Sequence, residues 1–523
     1  MPTTITPREL RRHWIEGREI ALIDVREEGP YAESHPLWAV SIPVSELEER
    51  LWPLVPRLSV PVVVYDNGEG YVDRALMRIA SLGYEDVRIL EGGLQAYARA
   101  GEVYRDVNSA CKAFGELVEA IRHTPSLPAS EIKKLLDTEE DLVVLDARRY
   151  EEFNTMSIPR GRSCPGGELV YRIRDLVPSP NTQIIVNCAG RTRSIVGTQS
   201  LINSGLPNKV MALRNGTIGW TLEGLDLDRG MAERAPKPSE DALQEARRSA
   251  SKWARHVGVP VINDKQLATF RDDLTRTLYT LDVRDPEEYK NGHPAGFVSA
   301  PGGQLVQATD EWVAVRGSRI VLYDDDGVRA RMSASWLYQM GWDVFLLDEY
   351  HGAHDPSPKT TPPTAELSSS SAITVSELHT LGNATIIDLA RSPIYRKGHI
   401  PGACFASGPE LARDCKAAPG QGAIVLTSAD GKIAEGNLAD ARTGTSQDVF
   451  WLAGGTSAWS EAGLPLETEC RWLSDPIDVY KRPYEGTDNA RENMQAYIDW
   501  ELQLVAQLAN DGVSGFHVAR AAA

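Results

Sequence analysis

An apolar run that ends in aspartate and then offers an arginine occurs four times in this chain. It reads Leu22-Ile23-Asp24-Val25-Arg26, Val144-Leu145-Asp146-Ala147-Arg148 and Thr280-Leu281-Asp282-Val283-Arg284, and more loosely Ile386-Ile387-Asp388-Leu389-Ala390-Arg391. A second apolar run follows each copy, ending at Tyr65, Asn187, Tyr323 and Thr427. The next residues are Asp66, Cys188, Asp324 and Ser428. They lie 42 residues after the first-run aspartate in three copies and 40 in the fourth. Spacing held this closely makes the chain a tandem array of one folding unit.

The likeness extends past the second run. A helical stretch ends at Gly83, Gly205 and Gly341, each 17 residues beyond the loop residue. A third apolar run and a turn follow, as in Val87–Leu90 before Gly92-Gly93 and Val449–Leu452 before Gly454-Gly455. Strands alternating with helices at this spacing predict βαβ units. The fold class is therefore α/β, with four tandem domains, each a central, mostly parallel β-sheet flanked by helices. The expected boundaries are 1–105, 106–235, 250–355 and 370–470, with a C-terminal helical extension over 471–523. The charged stretch 232–249 and the Pro, Thr and Ser-rich stretch 354–371 read as linkers. In the extension, one helix is expected over 489–508, its apolar face formed by Met494, Tyr497, Ile498, Leu502, Val505 and Leu508.

The formal net charge of −18 argues against nucleic acid or an anionic membrane surface as partner. A small anionic substrate then needs a local positive pocket. Residues 1–17 show no apolar signal-peptide core, and no apolar run approaches the length of a membrane span. Six scattered cysteines without a Cys-x-x-Cys pair predict neither a disulfide framework nor a metal site, and point to a reducing cytoplasm.

One loop carries the chemistry. Asn187-Cys188-Ala189-Gly190-Arg191-Thr192-Arg193-Ser194 sets a thiol between a strand and a helical stretch expected over 194–203. Backbone N–H groups at a helix start and two arginines favour a thiolate, which is a nucleophile suited to an anionic substrate. Cys188 is the candidate catalytic residue. Arg191 or Arg193 is expected to bind the anion, and the N–H groups of Ala189 to Ser194 to stabilise negative sulfur. Asp146 and Arg148 read as a structural ion pair, and Asn187 as a residue that fixes the loop. Asp66 and Asp324 offer no thiol, and Ser428 has no evident activating base. The first, third and fourth domains are therefore expected to be inactive.

These motifs, with Gly398-His399-Ile400-Pro401-Gly402-Ala403 and the turn Asn215-Gly216 before Trp220, resemble the rhodanese family of sulfurtransferases, four domains in tandem. The resemblance implies a ping-pong reaction through a Cys188 persulfide. A sulfane sulfur would pass from thiosulfate, or a related persulfide or polysulfide, to cyanide, a thiol or a protein acceptor, with no cofactor. His399 is expected to be scaffolding and the other five cysteines inert. Some rhodaneses carry a further arginine after the strand-end motif, where this chain has Glu151 and Glu152, so donor binding is left to the loop arginines. A cysteine phosphatase or arsenate reductase needs arginine where Ser194 stands, and Arg193 comes one residue early. A scaffold or regulatory protein with a sensing or vestigial thiol is the remaining alternative.

Overall fold

The computed structural model describes residues 3–138, 141–348, 350–355 and 371–520. Most of the second expected linker, residues 356–370, lies outside them. Each repeat contributes five strands to one sheet. In the second repeat the strands lie side by side in the order Ser126–Leu127, Val210–Leu213, Gln183–Asn187, Leu142–Asp146 and Gly161–Ser163, every pair parallel. In the third the order is Val261–Ile262, Asp343–Leu347, Arg319–Tyr323, Leu278–Asp282 and Val298–Ser299. The first and fourth repeats follow the same order, around the central strands Ile20–Asp24 with Val62–Tyr65, and Thr385–Asp388 with Ile424–Thr427. Parallel neighbours need crossovers, and helices supply them and cover both faces. That is why the central strands are continuous β-branched runs with no exposed side.

The strand-end motif is a buried staple. The Asp146 carboxylate accepts from the Arg148 backbone N at 3.1 Å, from Nε at 2.8 Å and from Nη2 at 2.7 Å. Nη2 of Arg148 also donates to the carbonyl of Met156 at 2.6 Å, so the arginine ties the strand end to the chain eight residues on. Arg26 reaches the Ser34 carbonyl and Arg284 the Gly292 carbonyl at the same offset. The fourth repeat departs from this, as its looser sequence foretells. Among the described residues, the Asp388 carboxylate accepts only the Ala390 N–H, at 2.8 Å, and burial pushes its carboxyl up to about 6. Arg391 instead pairs with Glu46 and Glu28 of the first repeat.

The chain divides into two compact units. One contains the first repeat to Val107 and the fourth repeat to Tyr480; the other contains Arg11–Glu19, the second and third repeats, and the chain from Lys481 onward. Within the second unit, Gly167 and Gly303 bring two backbones together: a Cβ on either would lie 2.6 Å from the other's backbone N. Arg329, 1% exposed, crosses the same seam to Glu168 at 2.9 Å while also holding Glu288 and Asp326. In the first unit, Glu46 and Arg391 play the corresponding parts.

Three sequence expectations are corrected. Much of the stretch read as a linker over 232–249 is helical, because Glu240–Val257 forms an 18-residue helix. Its buried Ala242, Ala246, Ala250 and Ala254 form a small-residue stripe, and Ala246, Ala250 and Trp253 pack into the core of the second repeat and against the third-repeat helix Arg329–Gln339. The helix after Cys188 begins at Thr192, not Ser194. The C-terminal helix is two helices, Arg491–Glu501 and Leu504–Asp511. Leu502, expected on the buried face, is exposed, and Leu504 is buried. Among the described residues, no helix is long and apolar enough to cross a membrane.

Removing one partner of a buried ion pair strands the other charge, which costs about 3–5 kcal/mol. Arg148→Met is therefore expected to destabilise the second repeat by about that amount in denaturant unfolding. Asp388 behaves oppositely. Its folded carboxyl titrates near 6, above its unfolded range, so the stability it contributes is present at acid pH and is lost as pH rises through 6. Asp388→Asn should flatten the thermal stability of the fourth repeat between acid and neutral pH; an unchanged pH slope would refute this.

Candidate active site

The strand Gln183–Asn187 delivers Cys188 to a four-residue loop that enters the helix Thr192–Asn203. Asn187 Nδ2 donates to Asp146 Oδ2 at 2.7 Å, so the Asp–Arg staple also anchors the base of the loop. The loop is clamped from the other side by the turn Asn215-Gly216. Thr217 N donates to the Cys188 carbonyl at 2.8 Å, and Ile218 N to that of Ala189 at 3.0 Å. Gly216 is required there: its φ is +54°, and a Cβ would sit 2.3 Å from the Cys188 carbonyl oxygen.

The equivalent loops of the other repeats show what this backbone holds. Asp66 places its carboxylate against the N–H groups of Gly68, Gly70, Tyr71 and Val72, at 2.8–3.3 Å. Asp324 accepts from Gly327 at 2.9 Å and from Ala330 at 2.7 Å. Ser428 Oγ accepts from Gly431 at 3.1 Å and from Ala434 at 3.4 Å. In every case the N–H six residues after the loop residue points at its side chain. Ser194 is that residue for Cys188, and its backbone N–H acts to lower the thiol. The Cys188 Sγ–H also donates to Ser194 Oγ at 3.3 Å, and Ser194 Oγ–H donates to the Arg191 carbonyl at 2.9 Å. The four loops are thus one cradle of inward N–H groups. Carboxylates fill it in two repeats, a hydroxyl in one, and a thiol in the second.

The electrostatics differ from the sequence expectation. Cys188 is 1% exposed, and burial pushes its thiol up; Arg193 and the Ser194 hydrogen bonds pull it down without prevailing. The arginines are not free to do more. Arg191 donates to Glu116 at 2.7 and 2.9 Å, to Glu119, and to Asn215 at 3.0 Å. Arg193 makes a two-pronged pair with Glu152 at 2.7 and 2.9 Å. Burial works against the Glu152 charge, yet the Arg193 guanidinium holds that carboxyl down at about 2. The loop therefore presents two neutralised arginines rather than two open ones, and the resting group is the thiol.

Sequence reasoning missed the roof of the site. The helix Arg491–Glu501 lies over the loop, where Met494, Tyr497 and Ile498 form one apolar cluster with Ala189, Ile218 and Tyr484. Glu501 is fully buried beneath it. The signal was present: Glu501 continues the 494, 497, 498 stripe as a carboxyl in an apolar row. Beside it, Lys112 from the helix Ser109–Arg122 sits 5.3–5.7 Å from the ring centres of Tyr497, Tyr484 and Trp500. A cavity of about 250 Å³ borders the roof, lined by Met156, Thr217, Ile218, Tyr484 and Met494 among others.

The remaining candidates fall outside this cluster. His399 is buried, its Nδ1 2.8 Å from the Tyr395 carbonyl and its ring stacked on Tyr395. Burial raises the thiols of Cys111, Cys164, Cys404 and Cys415; Cys415 reaches about 12, with Asp414 adding to the effect. Among the described residues, no group of three His, Cys, Asp or Glu side chains could hold a metal ion.

The rhodanese-like domain family matches residues 6–100, 128–223, 265–349 and 371–462. The chain belongs to the rhodanese family. A crystal structure of a thiosulfate sulfurtransferase from Pseudomonas aeruginosa is 48% identical over 99% of this chain and 100% of its own, with a TM-score of 0.95. The Escherichia coli protein SseA, described as a 3-mercaptopyruvate sulfotransferase, is 18% identical over 44% of this chain and all of its own, at a TM-score of 0.21. An Escherichia coli rhodanese solved with anions is 32% identical over 15% of this chain and 89% of its own, at 0.14. No curated protein sequence matches. As a rhodanese, this chain carries four copies of the domain and one cysteine among its four cradles.

Arg193 is the charge that most lowers the Cys188 thiol. Arg193→Ala is expected to move the pH profile of Cys188 alkylation to higher pH, read by mass spectrometry; a profile left in place would contradict this assignment.

Proposed function

We propose that this protein is a sulfurtransferase that carries a sulfane sulfur on Cys188, taking it from thiosulfate or a chemically related donor. The supporting observation is the cradle. Two sister loops close their inward N–H groups on a carboxylate, so the same backbone around Cys188 is built to hold an anion on the cysteine. A persulfide, Cys–S–S⁻, puts its outer sulfur where the carboxylate oxygens lie in Asp66 and Asp324. Likeness to a thiosulfate sulfurtransferase over the full length of both chains supports the same reading.

In the first half-reaction the Cys188 thiol releases its proton to water. The thiolate then attacks the outer sulfur of thiosulfate. The new Sγ–S bond forms as the donor S–S bond breaks, and its electron pair leaves on sulfite. The N–H groups of Thr192, Arg193 and Ser194, equivalent to those that hold Asp66, stabilise the outer sulfur. In the second half-reaction cyanide or a thiolate attacks that sulfur, and the electron pair of the Sγ–S bond returns to Cys188. Arg193 sets the local potential, and its pairing with Glu152 keeps it in place. Asp146, Arg148 and Asn187 position the loop without touching the sulfur. The first, third and fourth repeats, lacking a cysteine at this position, act in this reading as inactive modules. The six-residue span Cys188–Arg193 sets the site apart from cysteine phosphatases, and a cytoplasmic setting suits its unpaired thiols.

A buried, raised thiol is also what a scaffold with a vestigial cysteine would contain, and one experiment separates the two. Thiosulfate treatment followed by intact mass measurement should add about 32 Da, one sulfur atom, on Cys188. Cys188→Ala should abolish transfer to cyanide; retention of transfer, or no mass gain in the wild type, would favour the scaffold.

A further inference from the structure

The cradle's charge balance leaves one group without an assigned part. Around Cys188 stand three cations, Arg191, Arg193 and Lys112, and four carboxyl groups, Glu116, Glu119, Glu152 and Glu501. Three carboxylates neutralise the two arginines. Glu501 is different. Tyr497 Oη donates to its Oε1 at 2.8 Å, while Oε2 is buried with no hydrogen-bond partner among the described residues. That oxygen faces the loop: a Cβ on Gly190 would lie 3.3 Å from it. A buried carboxyl oxygen without a donor is costly as an anion and useful as an acid that can donate. An ionised Glu501 would add a negative charge beside that of Glu116 and repel the donor anion; a neutral Glu501 removes that repulsion.

We propose that Glu501, brought to the Cys188 loop by the C-terminal helix, is a positioning residue for sulfur transfer: its protonated carboxyl donates a hydrogen bond to the anion held in the cradle. The proposal rests on Cys188 being the sulfur carrier and extends it to a residue outside the four family domains. Burial is the main force that keeps the proton on Glu501, pushing the group up to about 8, and the Glu116 charge acts the same way. Lys112, the Tyr497 hydroxyl and Arg191 oppose it. An ionised Glu501 would in turn raise the Cys188 thiol, an effect the protonated carboxyl removes. The residue keeps its proton throughout the reaction. It supplies a donor to thiosulfate oxygens or to the outer persulfide sulfur, and its ionisation shuts anions out.

The sign of the pH dependence follows. Thiolate formation at Cys188 makes activity rise with pH, and loss of the Glu501 proton makes it fall above about 8. The experiment measures kcat and KM for transfer from thiosulfate to cyanide from about pH 6 to 10, bracketing the Glu501 titration, in full-length wild type, E501Q, E501A and C188A. E501Q still donates through its amide but cannot ionise. It should keep activity within about threefold at neutral pH and lose the alkaline fall. E501A should raise KM for thiosulfate about tenfold or more, with kcat less affected. An E501Q profile that keeps the wild-type alkaline limb overturns the proposal, as does E501A with an unchanged KM. Should E501A fail to fold, the E501Q profile decides alone. Transfer by C188A would instead overturn the Cys188 reading itself, a result distinct from any Glu501 outcome.

Discussion

Every repeat of this protein must satisfy the same small cluster of inward-facing backbone N–H groups where a buried strand gives way to a helix. Those groups cannot turn to water without unwinding the helix start, so each loop needs an acceptor at its first position. Asp66 and Asp324 answer with a carboxylate and Ser428 with a hydroxyl, and each closes its own cradle. Cys188 is the poorest acceptor of the four. Its thiol leaves the cradle only partly used, and that is the room the proposed sulfur anion would take. The chemistry proposed for the second repeat is thus a structural requirement of the fold left partly unmet.

The surroundings of Cys188 restrain it. Loop arginines in open solvent would create a persistent thiolate, exposed to oxidation. Here Glu116, Glu119 and Glu152 occupy the guanidinium groups, the helix Arg491–Glu501 packs over the neighbouring Ala189, and the sulfur is buried. Desolvation then outweighs the arginine field, and the resting group is the protonated thiol. The carboxylates also hold the guanidinium planes in fixed orientations, so the positive charge is already placed when an anion arrives. Neutralisation and orientation are two consequences of the same ion pairs.

Much of the fold was legible in order along the chain. The strand-end Asp–x–Arg, the apolar run before the loop residue and the glycine after the helix each mark a position where local geometry admits few residues. The φ values of Gly83, Gly205 and Gly341, +91°, +73° and +74°, show why those three recur. The looser fourth motif was also informative: without an arginine two residues after Asp388, the staple is absent, and Arg391 pairs across to Glu46. Less legible were the alanine stripe of Glu240–Val257, masked by its charges, and which edge of the C-terminal apolar stripe is buried, Leu504 rather than Leu502.

The sequence by itself determined the repeated α/β unit, its strand-ending ion pair and the placement of one cysteine among four equivalent loops. These depend on contacts between residues near in the chain or on a strict periodicity, and both leave a pattern in the order of residues. Tertiary structure decided what surrounds that cysteine. Glu116 lies 72 residues before it and Glu501 313 residues after it, and no local rule links such positions. Only the packing of the helices Ser109–Arg122 and Arg491–Glu501 onto the second repeat brings their carboxyls to the loop. The charge state of a buried thiol is set by everything within a few ångströms, whatever its distance along the chain, so the sequence located the sulfur and the fold set its ionisation.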